Sequence, residues 1–532
     1  MAKIRPYSYH TFLFPFLWDD GGQIKKEKFR KSLSSGWKED TIYKDDNTAS
    51  LYSREGYATY QYFNEATRKA LLPKPDEKEI VECFFYEPLN HRGSYVISKK
   101  EGEKETSYSL NINAVRLKVF NTGVAVLVYE LEYVTDLPNE EAMKNVMRIN
   151  EYGRRLYPPY LPEDNGYLIC ADKITVYSDH LTVFSEDNFR QRIRFAADDP
   201  AKCDCLIDPK QIPAMVTNLF EPGSEITAAI EPAIDDRMFV CCCISDDNCA
   251  NHFLGYQTSY DWENEAEKKK ANIRRQAGKW AFRNDFELGQ ELYALMNIDA
   301  GADSCCCNSR KDLDKYFDEQ LYTRWAEYGT LYGVTNHSFL CLTGSNVDDS
   351  VINPFLTLYV QMSILVLAQR ASMISFDKEI TVAAAHDDIQ RVMGKSRNQL
   401  VDLQQRFAIF QGELLLTEVT PQIQGIELYE KLQKMLFIPQ LEKNIQNQMN
   451  NLYGIARTAQ GNSFNTWGRI IAVIGLLMGI LRVEDLERFI PQNCQVLPMW
   501  LLRLFVIGVL TASFFVLPQL FIKIKNRNHK RK

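Results

Sequence analysis

Residues 504–522 form an uninterrupted run of nineteen residues without a charge, and six cations follow: Lys523, Lys525, Arg527, Lys530, Arg531 and Lys532. As a helix the run is about 28 Å long, close to the ~30 Å hydrocarbon layer of a bilayer. Trp500 stands at its start, where an interfacial aromatic belongs, and the cations after it predict a cytoplasmic C-terminus. A chain with such a segment is constrained first by the bilayer. Its average composition conceals this: mean hydropathy is -0.30, 45% of residues are hydrophobic and 25% charged.

A second apolar run precedes it. Residues 470–481 are too few to cross alone, so the first span is expected over about 464–481, which draws Asn465 and Arg469 toward the bilayer. Ionisable groups there are costly and face a bundle interior or water. Gly461, Asn465, Gly468, Ala472, Gly475, Gly479 and Arg482 recur at helical spacing on one face, with Arg469 beside them, while Ile470, Ile471, Ile474, Leu477 and Leu481 form the other. A small or polar face turned inward and an apolar face turned to lipid suit a pore-lining helix. The same glycines also suit close packing of two helices. The short loop 482–497 carries Glu484, Asp485 and Glu487, a candidate acidic outer mouth, before the second span at 498–522. The expected order is a cytoplasmic domain over 1–345, with a subdomain break near 200, a helical stalk over 346–462, the transmembrane hairpin over 463–522 and a basic tail over 523–532. Both termini are expected on the cytoplasmic side of the inner membrane.

The N-terminal part reads as α+β. Residues 12–18 are apolar, interrupted by Pro15 and followed by Asp19 and Asp20, so a first strand is expected rather than a signal core. Residues 108–133 read as a hairpin turning at Asn121-Thr122-Gly123. A helix capped by Asn139 is expected to run from 140 to about 155 and to stop at Tyr157-Pro158-Pro159. Further strands are expected at 239–244 and 337–343, with a charged helix over 263–275 between them. From Pro354 onward nearly everything reads as helix. Residues 355–368 are apolar but span only about 21 Å before Gln369-Arg370, so they are expected to be buried in protein rather than in lipid. Leu432, Met435, Leu436, Leu441, Ile445, Met449, Leu452 and Ile455 form the stripe of one long helix.

The thirteen cysteines include Cys241-Cys242-Cys243 and Cys305-Cys306-Cys307. Adjacent cysteines do not make a disulfide framework, and with Cys203, Cys205 and Cys249 they match no zinc spacing, so buried thiols in a reducing compartment are expected. No phosphate loop, dinucleotide fingerprint, zinc-protease motif or nucleophile elbow is present. The seven histidines are scattered, and neither a catalytic constellation nor a metal set emerges. The excess of acidic over basic residues, 69 against 62, argues against nucleic-acid coating. Two stretches offer the cationic, amide and aromatic groups that an adenine-bearing ligand needs: Arg154, Arg155 and Tyr157, and Arg324, Trp325, Asn336 and His337. Arginines stabilising a helix C-terminus would look the same.

A large cytoplasmic domain, a helical stalk, a short acidic loop between two spans and a basic tail: this order resembles the CorA family of two-span divalent-cation channels. The resemblance implies a homopentamer with the first span lining the pore. That family's Gly-Met-Asn filter is absent here; the corresponding end reads Met478-Gly479-Ile480-Leu481-Arg482. The segments Tyr9-His10-Thr11-Phe12-Leu13-Phe14-Pro15-Phe16 and Arg324-Trp325 through Gly333 look more like the divergent CorA-like effectors of type III CRISPR systems. That resemblance implies an antiviral pore gated by a nucleotide messenger, an S-adenosylmethionine–AMP conjugate. A magnesium or cobalt transporter with a degenerate filter and a non-conducting membrane-anchored sensor are the alternatives.

Overall fold

The computed structural model describes residues 5–18, 26–43, 51–101, 104–156, 170–179, 181–186, 214–224, 230–235, 237–255, 280–299, 307–345, 347–385 and 395–452. The chain divides into a unit of residues 1–453 and a unit of residues 454–532, and the described residues all belong to the first. Both transmembrane spans, the outer loop, the basic tail, the expected helix at 263–275, the break near 200 and the Tyr157-Pro158-Pro159 stop therefore lie outside them.

Among the described residues thirteen strands make one sheet: β1 (Ser8–Leu17), β2 (Trp37–Glu39), β3 (Val81–Tyr86), β4 (Gly93–Glu101), β5 (Lys104–Phe120), β6 (Val124–Tyr133), β7 (Lys173–Ser178), β8 (Leu181–Glu186), β9 (Glu231–Pro232), β10 (Phe239–Ser245), β11 (Leu321–Tyr322), β12 (Leu331–Val334) and β13 (Ser338–Thr343). The order is β11-β12-β13-β10-β1-β6-β5-β4-β7-β8, with β3 on β5, β2 on β3 and β9 on β1. The hairpin read from the sequence is β5–β6, and Gly123 supplies the left-handed residue of its turn (φ 82°). β1 runs down the middle between β6 and β10, so strands from both sides of residue 200 share one sheet. β10 and β13 are parallel, and the other strand pairs are antiparallel.

The central strands are buried on both faces, which is why they read as near-continuous apolar runs. Phe12, Phe14 and Phe16 of β1 face one core with Leu127 and Tyr129 of β6 and Val240 and Cys242 of β10. Leu13, Val126, Val128, Phe239, Cys241 and Cys243 face the other. Helices α1 (Asn139–Gly153) and α2 (Phe286–Asn297) cover the first face, and α3 (Val360–Ala385), α4 (Lys395–Glu413) and α5 (Ile423–Met435) the second. Asn139 does not cap α1: it sits inside the helix and its Oδ1 accepts from the Tyr7 hydroxyl at 2.7 Å.

The apolar run at 355–368 is a buried helix, as expected, and the helix continues past Gln369-Arg370: among the described residues, Ser350–Val382 is the one helix long and apolar enough to cross a membrane, and 67% of its apolar window is buried within the protein. Gln369 is fully buried and donates to Leu414 O at 2.7 Å and to the Tyr429 hydroxyl at 2.8 Å, so α3 is locked to the chain after α4 and to α5. Phe376 packs on Phe407 and Phe410 of α4. These helices form a layer of the core rather than a free stalk. The long stripe from Leu432 is also split: α5 ends at Met435, Phe437 takes a left-handed φ of 59°, and a second helix covers 438–452.

Candidate functional site

Because β10 and β13 are parallel, their N-terminal ends lie side by side. The approaches to them carry Asp235, Arg237 and Met238 on one side and Asn336 and His337 on the other, tied by Val240 N donating to His337 O at 3.1 Å. The end of α1 is fastened to the same place: Met238 N donates to Arg154 O at 2.8 Å, and Arg155 bridges Arg237 through the backbone. From the other face, α3 contributes Leu367 and Arg370. With Pro15, Ile234 and Phe239 these residues line a cavity of about 50 Å³.

Among the described residues, Arg154, Arg155, Arg237 and Arg370 stand near two carboxylates, Glu151 and Asp235. Glu151, 2% exposed, accepts from Arg154 Nη2 at 3.0 Å and from Arg155 Nε at 2.8 Å. Arg154 Nη2 also reaches Ile298 O at 3.3 Å, but its Nε and Nη1 are buried without a hydrogen-bond partner. Burial draws this guanidinium down to about 10, and the neighbouring Arg237 and Arg155 add to the effect against Glu151. Arg370 is lowered as well, by burial, and its Nε is likewise unpartnered. Asp235 Oδ2 accepts from Arg237 Nη2 at 2.7 Å and lies 3.8 Å from His337 Nδ1. His337 is pushed down to about 4 by burial and then by Arg237 and Arg154, so it is neutral near pH 7. Buried donors without partners are costly until an acceptor reaches them.

Of the residues singled out from sequence, Arg154, Arg155, Asn336 and His337 are brought together here. Arg324 and Trp325 are not: Arg324 Nη1 pairs with Glu427 Oε2 at 2.6 Å and Trp325 Nε1 donates to Gln424 Oε1 at 2.7 Å, tying α5 to the β11 end of the sheet. Tyr157, the pore candidates Asn465, Gly468, Arg469, Ala472, Gly475, Gly479 and Arg482, and the mouth candidates Glu484, Asp485 and Glu487 lie outside the described residues. Sequence reasoning missed Asp235, Arg237 and Arg370. Arg237 directly precedes a buried strand, a position that a parallel neighbour turns into a shared strand end; the parallel pairing itself was not legible.

A second, larger cavity of about 210 Å³ is lined by Arg30, Glu39, Asp40, Lys78, Glu82 and Cys83 among others. Its charges satisfy each other, Arg30 with Glu82 at 2.6 Å, Lys78 with Glu39 at 2.5 Å and Arg116 with Asp40 at 2.5 Å, so nothing in it calls for a ligand. Cys241, Cys242 and Cys243 are buried within β10, and burial raises the Cys241 and Cys242 thiols to about 12, far from the thiolate form a metal or an electrophile requires. No family model, curated protein or solved structure matches the chain.

Proposed function

We propose that this chain is an oligomeric membrane pore of CorA-like architecture, and that a nucleotide messenger of the S-adenosylmethionine–AMP type opens it by placing its phosphate in the cationic cleft. On this reading it is an antiviral effector of the inner membrane rather than an enzyme. The observation that carries the proposal is the cleft itself, which Arg237 and Arg370 line from opposite sides of the sheet, with Arg154 acting on its His337, while Arg154 and Arg370 keep unpartnered buried donors. The apolar, glycine-striped hairpin in the sequence supplies the conducting part. Gating requires the messenger to bind open and closed arrangements unequally, since equal affinity shifts nothing. A cleft walled by strand ends on one side and by α3 on the other meets that requirement if the two walls move apart or together. The runner-up, a divalent-cation transporter, would want carboxylates where the cleft presents cations.

The test is leakage of a small fluorescent dye from liposomes carrying the full chain. Messenger-triggered release that is lost in Gly475→Leu, with messenger binding retained, supports the pore. Release unaffected by Gly475→Leu, or uptake of Mg²⁺ without any nucleotide, contradicts it.

A further inference from the structure

We propose that Asp235 is the resident anion of the cleft, and that a phosphate group of the ligand takes over its place between Arg237, Arg370 and His337. The inference rests on the cleft being the ligand site of the proposed pore, and it adds the chemical class of the bound group and the means by which the empty site is held.

Asp235 sits on the short segment between β9 and β10, half-buried, with one carboxylate oxygen on Arg237 (Nη2 at 2.7 Å, Nε at 3.1 Å) and 3.8 Å from His337 Nδ1. It is also the acid that acts on Arg370. A single carboxylate leaves the cluster cationic, with Arg154 Nε and Nη1 and Arg370 Nε still lacking acceptors. A tetrahedral phosphate brings more oxygens and more charge, and planar guanidinium groups match its geometry. The cavity of about 50 Å³ holds a few waters or one such oxyanion, not a nucleoside, so it selects for the phosphate part of a ligand. Asn336, also in the wall, offers an amide donor to the same group. A phosphate seated there offers more acceptor oxygens to the strand ends and to Arg370 of α3 than the Asp235 carboxylate does. Exchange of one anion for the other therefore changes how firmly the two walls are held together.

The experiment is thermal unfolding of the full-length chain in detergent, followed by tryptophan fluorescence, with inorganic phosphate titrated against chloride at constant ionic strength. The expected result is a saturable rise in Tm, with Asp235→Asn tightening the apparent Kd by about tenfold because the competitor is gone. Arg237→Gln combined with Arg370→Gln is expected to remove the saturable part, while Arg324→Gln at the far end of the sheet leaves it unchanged. Where Asp235→Asn fails to fold, Asp235→Ser removes the same charge. A Tm that follows ionic strength alone, or a phosphate affinity that Asp235→Asn and Asp235→Ser leave unchanged or weaken, overturns the inference. Phosphate binding with these properties in a chain that never leaks would sink the pore reading and leave this inference standing; messenger-gated leakage indifferent to Asp235 would do the reverse.

Discussion

Arg154 was legible as a residue of interest because, with Arg155 and Tyr157, it offers cationic and aromatic groups to an adenine-bearing ligand, yet the ordinary explanation, cations at a helix C-terminus, is half right. The structure holds both arginines on one buried carboxylate, Glu151, and still leaves two donors of Arg154 unused. A buried ion pair of this kind adds little net stability, because the desolvation of its charges offsets their attraction. The buried histidines give a direct check at this scale. His10 is fully buried, its ring nitrogens engaged by Ser8 at 2.9 Å and Asn150 at 2.6 Å with Cys242 Sγ at 3.8 Å, and burial lowers it to about 4. Its folded pKa thus lies below the unfolded value of 6.5, so the unfolded chain takes up the proton first. Stability from this group is complete above pH 6.5 and is lost as pH falls toward 4, by up to about 3 kcal/mol. Denaturant unfolding at a series of pH values should show that loss in the wild type and a flatter profile in His10→Asn; parallel profiles would show that His10 is not held neutral by the fold.

At the scale of elements, strands and turns were readable where local chemistry decides them. The β5–β6 hairpin is fixed by alternation and by the left-handed residue Gly123, and β10 by an unbroken apolar run. What was not readable depends on partners distant in sequence. That Gln369 would be buried beyond the apolar run depends on Leu414 and Tyr429, which accept from its amide across the fold. The break at Phe437 is followed by Pro439 in the first turn of the second helix, a helix-start signal in the sequence that the long apolar stripe overrode. The end of α1 illustrates how packing places the cleft. A Cβ at Gly153 would stand 2.9 Å from both Phe12 Cε2 and Ile97 Cδ1, so the helix lies against β1 and β4 as closely as a backbone can. Gly153→Ala is expected to destabilise the protein by about 1–3 kcal/mol, read from the shift of the unfolding midpoint in denaturant, and to weaken phosphate binding by displacing Arg154. A neutral substitution would mean that the helix end is free to move and that the position of Arg154 is not set by this contact.

For the molecule as a whole, composition averages two very different parts. The described unit is a three-layer arrangement whose central sheet is buried on both sides, and its apolar content, including a helix apolar enough to cross a membrane, is consumed in that core. The proposed hairpin, sixty residues of the chain, is diluted in a mean hydropathy of -0.30. Long-range pairing, above all the parallel contact of β10 with β13 across some ninety residues, is what assembles the cleft, and single-sequence periodicity carries no record of it. The central claim joins the two parts: an anion in the cleft governs the membrane segment. Dye release from liposomes, measured against messenger concentration for the wild type and for Arg237→Gln with Arg370→Gln, tests it most directly. Loss of two charge-assisted contacts should move the dose–response curve by about a hundredfold or more, with the folded domain intact by circular dichroism. An unchanged curve in the double variant would contradict the account.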